Sequence, residues 1–246
     1  MTLLGKRAGF LKAESGAQLV KMTQVRHTIN HSGRSRGGSA LLGLLLIVCA
    51  GTMPESADAQ TARGTAPTPA VICESCHGTR SEGLSSLSAP RLAALPDWYV
   101  EKQLRNFKAG SRGGVSSDES AATMARIART LATDNDIHEV AEYFASMPPP
   151  AVSPQTVSGS SDRGKDVFRQ CAACHGADGN GDRQLQAPPL RGANDWYVVR
   201  QLKAFHDGRR GADPKDASGG SMRAIAQAIS SDASMNDLAA YIRTLH

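Results

Sequence analysis

The sequence has 246 residues, 28 Lys+Arg against 23 Asp+Glu, 40% hydrophobic residues and only 4% aromatics, with 24 Gly and 12 Pro. That length holds one large domain or two small ones, and two cores of roughly 80–100 residues each would need support from a metal, disulfides or a cofactor. No run of about 20 apolar residues occurs, which excludes a polytopic membrane protein, and no heptad or collagen period appears, which excludes a fibrous one.

The chain opens on a basic segment with Lys6, Arg7, Lys12, Lys21, Arg26, Arg34 and Arg36, followed by the apolar run 40–51 (ALLGLLLIVCAG) and the small-x-small site Ala57-Asp58-Ala59. This order predicts a secretory signal peptide over residues 1–59, cleaved after Ala59, and hence export to the periplasm. The basic segment is long for such a signal, so Met22 is an alternative start, and an uncleaved anchor is the alternative fate. Processing at Cys49 as a lipoprotein is disfavoured by the branched Val48 before it. Without residues 1–59 the chain carries 21 basic and 20 acidic residues, so the basic pI belongs to the leader and nucleic-acid binding has no support.

The next elements read as short helices. Residues 66–72 contain Pro67 and Pro69, so a helix there should be short or distorted. Asp97 to Phe107 carries Val100, Leu104 and Phe107 on one face and stops at Gly110. A helix from Thr133/Asp134 carries Ile137, Val140, Ala141 and Phe144 at spacing i, i+3, i+4, i+7. Residues 148–159 (PPPAVSPQTVSG) read as a linker. A helix from Asp162 to Gln170 then runs into Cys171, Val198, Leu202 and Phe205 form a second stripe, and Met235, Leu238, Ala239 and Ile242 form a third. No alternating strand pattern competes, so the fold class is all-α.

These elements repeat at a constant offset of 98 residues without an insertion: Cys73/Cys171, Pro90/Pro188, Asp97-Trp98-Tyr99-Val100/Asp195-Trp196-Tyr197-Val198, Gln103/Gln201, Arg112/Arg210, Met124/Met222 and Tyr143/Tyr241. Two tandem domains follow, 66–147 and 160–246, joined by 148–159. The first has no apparent counterpart of the turn Ala177-Asp178-Gly179-Asn180-Gly181, although Gly83 matches Gly181.

Outside the leader, all four cysteines lie in Cys73-Glu-Ser-Cys76-His77 and Cys171-Ala-Ala-Cys174-His175. Cys-x-x-Cys-His is the attachment signature of c-type haem: two thiols one helical turn apart add to the two vinyl groups of one porphyrin, and the adjacent His becomes the proximal iron ligand. A thioredoxin-like pair would need a βαβ setting, a shared zinc site is disfavoured by the 98-residue separation, and a disulfide across two residues would close a strained ring. Two covalently bound haem c groups are therefore expected, with His77 and His175 on the irons.

A carrier also closes the far side of each iron. His206 and His138 have Lys108 and Asn236 as repeat partners, and His246 has none, so no histidine serves both units. Met124 and Met222 do pair, each 47 residues after the proximal His, and are the candidate distal ligands. Met147 and Met235 read as core. Trp98, Trp196, Arg112 and Arg210 are candidates to pack in the cores or to donate to haem propionates.

Together these residues resemble the class I c-type cytochromes, in particular the dihaem periplasmic cytochromes of the c-four and c-553 type. The features that carry the resemblance are Gly164-Lys165-Asp166-Val167-Phe168 before CAACHG, then Gly179-Asn180-Gly181, Pro189-Leu190-Arg191-Gly192, the segment Trp196 to Leu202, Met222 and the segment Asp237 to Ile242. The resemblance implies two tandem class I cytochrome c domains, the axial pairs His77/Met124 and His175/Met222, and an electron carrier rather than an enzyme. The implied partners are redox proteins, a quinol-oxidising complex or dehydrogenase as donor and a terminal oxidase as acceptor. Any membrane association would come through them, with no small-molecule substrate. The same layout occurs as the cytochrome subunit of flavin-dependent sulfide dehydrogenases, which is the alternative reading. A dihaem peroxidase or gas sensor would need an open axial position, against which a Met in both units counts.

Overall fold

The computed structural model describes residues 66–114 and 118–245, all within one compact unit, Met53–His246. The expected signal peptide and His246 lie outside the described residues.

Among the described residues eight α-helices form in chain order: α1 (Thr68–His77), α2 (Asp97–Ala109), α3 (Glu119–Thr130), α4 (Asp134–Ser146), α5 (Ser161–His175), α6 (Asp195–His206), α7 (Ala217–Gln227) and α8 (Asp232–Ile242). No strand forms among the described residues, only the isolated bridges Leu84↔Ala89 and Asp182↔Ala187. No described helix is long and apolar enough to cross a membrane. The all-α class is as expected, and its two halves, α1–α4 and α5–α8, repeat one another.

Helix starts follow local chemistry. Thr133 caps α4 in a reciprocal box with Asp136, and the Ser231 hydroxyl accepts from Ser234 N–H at the start of α8. Pro67 and Pro69 occupy the cap and first turn of α1, where the missing N–H costs nothing, so they begin the helix late rather than distort it. As a result α1 has 10 residues and α5 has 15. The helices α3 and α7, which bear Met124 and Met222, were not anticipated; α3 carries Ala121, Met124, Ala125 and Ala128 at spacing i, i+3, i+4, i+7, a stripe of mostly small side chains. Both helices are also signalled by the cap pair Asp118 and Asp216, whose carboxylates accept from Ala121 and Gly219 N–H.

Each half has its own core. Val100, Leu104 and Phe107 of α2 meet Ile137, Val140, Ala141 and Phe144 of α4 in the first, and Met147 is buried with them. Val198 and Leu202 of α6 meet Met235, Leu238, Ala239 and Ile242 of α8 in the second, with Phe168 of α5. Burial of each large aliphatic or aromatic side chain contributes about 1.5–3 kcal/mol. The long α5 lies closely along α8 because Gly164 has no side chain: a Cβ there would sit 1.9 Å from the Asp237 carbonyl oxygen.

The post-motif turn thought absent from the first half is present. Gly83 N–H donates to His77 O as Gly181 N–H does to His175 O, and Leu92 N–H bonds Ser81 O as Leu190 N–H bonds Gly179 O. Ser81 takes the left-handed conformation (φ 51) that Gly179 takes in the second half (φ 71), which is why the sequence hid the turn.

Candidate haem-binding sites

The two Cys-x-x-Cys-His motifs form the last turns of α1 and α5, so helical pitch places the thiols and the imidazole of each on one side. A cavity of about 870 Å³ runs across both halves and is lined by Cys73, Cys76, His77 and Met124 as well as Cys171, Cys174, His175 and Met222. No disulfide joins these four cysteines. Burial pushes the thiols of Cys73 and Cys171 up to about 11, whereas Cys76 and Cys174 are exposed.

The two histidines are held alike. His77 Nδ1 lies 2.6 Å from the Pro90 carbonyl oxygen, and His175 Nδ1 lies 2.7 Å from that of Pro188. A carbonyl only accepts, so Nδ1 carries the proton and Nε2 is left as the free donor atom. Burial lowers both imidazole pKa values, with the carbonyl bonds opposing, which favours the neutral ligating form.

The described residues fit a porphyrin. Ile72, Leu87, Leu185 and Ile225 line the cavity yet are 40–55% exposed, apolar surface that a flat hydrophobic group would cover. Arg112 and Arg210, also at the cavity, are buried without a carboxylate within ion-pair distance among the described residues, and Arg210 Nε is unpartnered, as suits the carboxylates of propionate groups. Among the other candidates, His138 is tied to Glu101 and Glu142 at the surface and His206 to Asp207, and neither lines the cavity. Trp98 and Trp196 are both half-buried outside the two cores and the cavity lining, edge-on to Tyr99 and Tyr197.

The cavity is walled by reciprocal contacts between the halves, which sequence reasoning missed. Arg112 donates to Tyr197 Oη (2.8 Å), Gln201 Oε1 (3.1 Å) and Gln103 Oε1 (2.8 Å); Arg210 donates to Tyr99 Oη (3.4 Å), Gln103 Oε1 (3.0 Å) and Gln201 Oε1 (2.6 Å). Each guanidinium also stacks 4.4 Å over Phe107 or Phe205 of its own half. Burial pushes the Tyr197 hydroxyl up, but Arg112 and Arg210 outweigh it and hold it below the usual phenol value. The ion pairs Arg200–Asp118 (2.8 Å) and Lys102–Asp216 (3.9 Å) repeat the reciprocity, since Lys102 and Arg200, like Asp118 and Asp216, are 98 residues apart.

Paired helical units, each presenting Cys-x-x-Cys-His and a Met to a cavity, define a class I c-type cytochrome. The family model described as cytochrome c matches residues 161–246. The chain is 31% identical over 220 residues to cytochrome c4 of Azotobacter vinelandii, covering 84% of this chain and 99% of that one. It is 32% identical over 193 residues to the thiosulfate dehydrogenase electron acceptor of Stutzerimonas stutzeri, covering 72% and 82% respectively. The solved cytochrome c4 of Acidithiobacillus ferrooxidans superposes with a TM-score of 0.59 at 31% identity, over 71% of this chain and 99% of that one. The chain therefore belongs to the dihaem class I c-type cytochromes, electron-transfer proteins that carry covalently bound haem c.

Proposed function

We propose that the protein is a periplasmic one-electron carrier in which Cys73 and Cys76 attach one haem and Cys171 and Cys174 the other. His77 with Met124 and His175 with Met222 are its axial ligands, and a redox enzyme and a terminal oxidase or similar acceptor are its partners. The observation that carries this reading is the duplicated set of Cys, His and Met on one cavity, in register at 98 residues. When bound, haem c supplies an iron that cycles between ferric and ferrous states. The chain's residues do the rest. The Pro90 and Pro188 carbonyls fix the imidazoles in the ligating tautomer. The thioether of Met, a weak neutral donor, favours the ferrous state relative to a second imidazole. The apolar walls exclude water, and Arg112 and Arg210 offset propionate charge. With a Met closing each far side, no position is left for peroxide or a gas, and the role is carriage rather than catalysis.

Met222→Ala tests the assignment: the oxidised protein should lose the near-infrared sulfur-to-iron absorption of one haem, and the potential of that haem should fall. An unaltered spectrum would contradict it.

The likeness to a thiosulfate dehydrogenase electron acceptor favours one donor class, a dehydrogenase that oxidises a sulfur oxyanion, over a quinol-oxidising complex. It also supports the second reading, a dedicated cytochrome subunit of such a dehydrogenase; co-purification with a catalytic subunit distinguishes the two. The expected boundaries, with a leader over 1–59 and domains 66–147 and 160–246, belong to the same proposal.

A further inference from the structure

The two halves differ at one peptide bond on the proximal side. In the first half the Pro90 carbonyl accepts from His77 Nδ1–H, and the N–H of the same peptide group, on Arg91, donates to Asn194 Oδ1 at 2.8 Å. In the second half the corresponding peptide joins Pro188 to Pro189, so it has a carbonyl for His175 but no N–H to donate. Asn194 belongs to the opposite half. It occupies the N-cap position of α6 but makes no side-chain cap there; its amide nitrogen donates instead to Glu82 O (3.1 Å) and Ser153 Oγ (2.9 Å). The side chain is buried, and it approaches so closely that a Cβ on Gly83 would lie 2.7 Å from Asn194 Oδ1. Gly181, the repeat partner of Gly83, meets only residues of its own half, and the repeat partner of Asn194 is Pro96.

We propose that Asn194 is a positioning residue through which the second half sets the proximal hydrogen bond, and hence the reduction potential, of the first haem only. The inference rests on His77 being that haem's axial ligand. The chain His77 Nδ1–H to Pro90 O, through the peptide, and Arg91 N–H to Asn194 Oδ1 polarises one amide from both ends. Hydrogen bonds in series strengthen one another, so donation at Arg91 N–H makes the Pro90 oxygen a better acceptor. A stronger bond at Nδ1 makes the imidazole a more basic iron donor. That stabilises the ferric state and lowers the potential. The His175 side has no such lever.

The test uses the full-length, haem-loaded protein. Asn194→Leu removes the acceptor at similar volume; a pair in the partner peptide, Arg91→Pro against Arg91→Gln, removes the N–H while both lose the guanidinium, and Pro189 shows that proline suits the corresponding position. The expected results are a rise in the potential of the first haem in Asn194→Leu, and in Arg91→Pro relative to Arg91→Gln, with the second potential unchanged. In the reduced, diamagnetic protein the His77 Nδ1–H proton resonance should move upfield while that of His175 stays. Asn194→Asp keeps an acceptor and should hold the first potential at or below its original value. Two potentials that ignore these variants, or that move together, would overturn the proposal. Wild-type protein lacking a haem at the first motif would instead overturn the functional reading beneath it.

Discussion

Ser81 is fully buried, sits at φ 51 and has no hydrogen-bond partner for its hydroxyl. Left-handed backbone costs a residue with a Cβ roughly 1–2 kcal/mol, and an unpaired buried hydroxyl costs about 1–3 kcal/mol. Glycine at the equivalent position of the second half avoids both. Ser81→Gly should therefore stabilise the first half by about 1 kcal/mol, after the extra entropy of the unfolded chain is subtracted. Denaturant unfolding reads this, and a destabilised variant would contradict it. The same position shows where residue-level reading of a sequence stops. Glycine advertises a left-handed turn, but Ser81 and Ala94 adopt one because the rest of the repeat imposes it. That the four cysteines, His77, His175, Met124 and Met222 are candidates was legible because identity and spacing are printed in the sequence, and all eight line the cavity. Asn194 was not legible, because its partners at Glu82 and Arg91 are more than a hundred residues away.

The helices were legible in proportion to the size of the side chains on their apolar faces. The stripes of α2, α4, α6 and α8 are buried as their spacing required, whereas α3 enters the first core through Ala121, Met124, Ala125 and Ala128 and α7 buries only Gly219 and Ala226. Helices α2 and α4 are also joined at the surface, where His138 Nδ1 contacts Glu101 at 2.7 Å and Nε2 contacts Glu142 at 3.2 Å. Asp97 adds attraction from α2, and Arg105, on the same helix, pairs with Glu101 and Asp134. The Glu101 hydrogen bond, then the Glu142 charge, raise the His138 pKa above its usual value. A raised folded pKa means that the contribution is complete below about pH 6.5, the unfolded value, and fades as pH rises through the folded one. His138→Gln should flatten the pH dependence of unfolding of the first half across that window; an unchanged slope would show that the bridge contributes nothing.

Across the whole molecule, a duplicated unit has become an asymmetric pair. Arg112, Gln103 and Tyr99 meet Arg210, Gln201 and Tyr197 reciprocally, as in a contact between identical subunits. The 98-residue offset disclosed the duplication but not that contact, since polar residues that face each other across a cavity leave no periodic trace. The asymmetry lies in α1 against α5, in Asn194, and in the linker, where Asp195 accepts from Thr156 Oγ1 and from the N–H groups of Thr156 and Val157. These differences give two like units unequal surroundings, which a carrier needs if its haems are to receive and deliver electrons in order. One haem at each copy of the repeat is the central claim. Proteolytic peptide mapping of the purified protein by mass spectrometry should find one tetrapyrrole on the peptide containing Cys73 and Cys76 and another on that containing Cys171 and Cys174. A peptide of unmodified mass at either motif would contradict it.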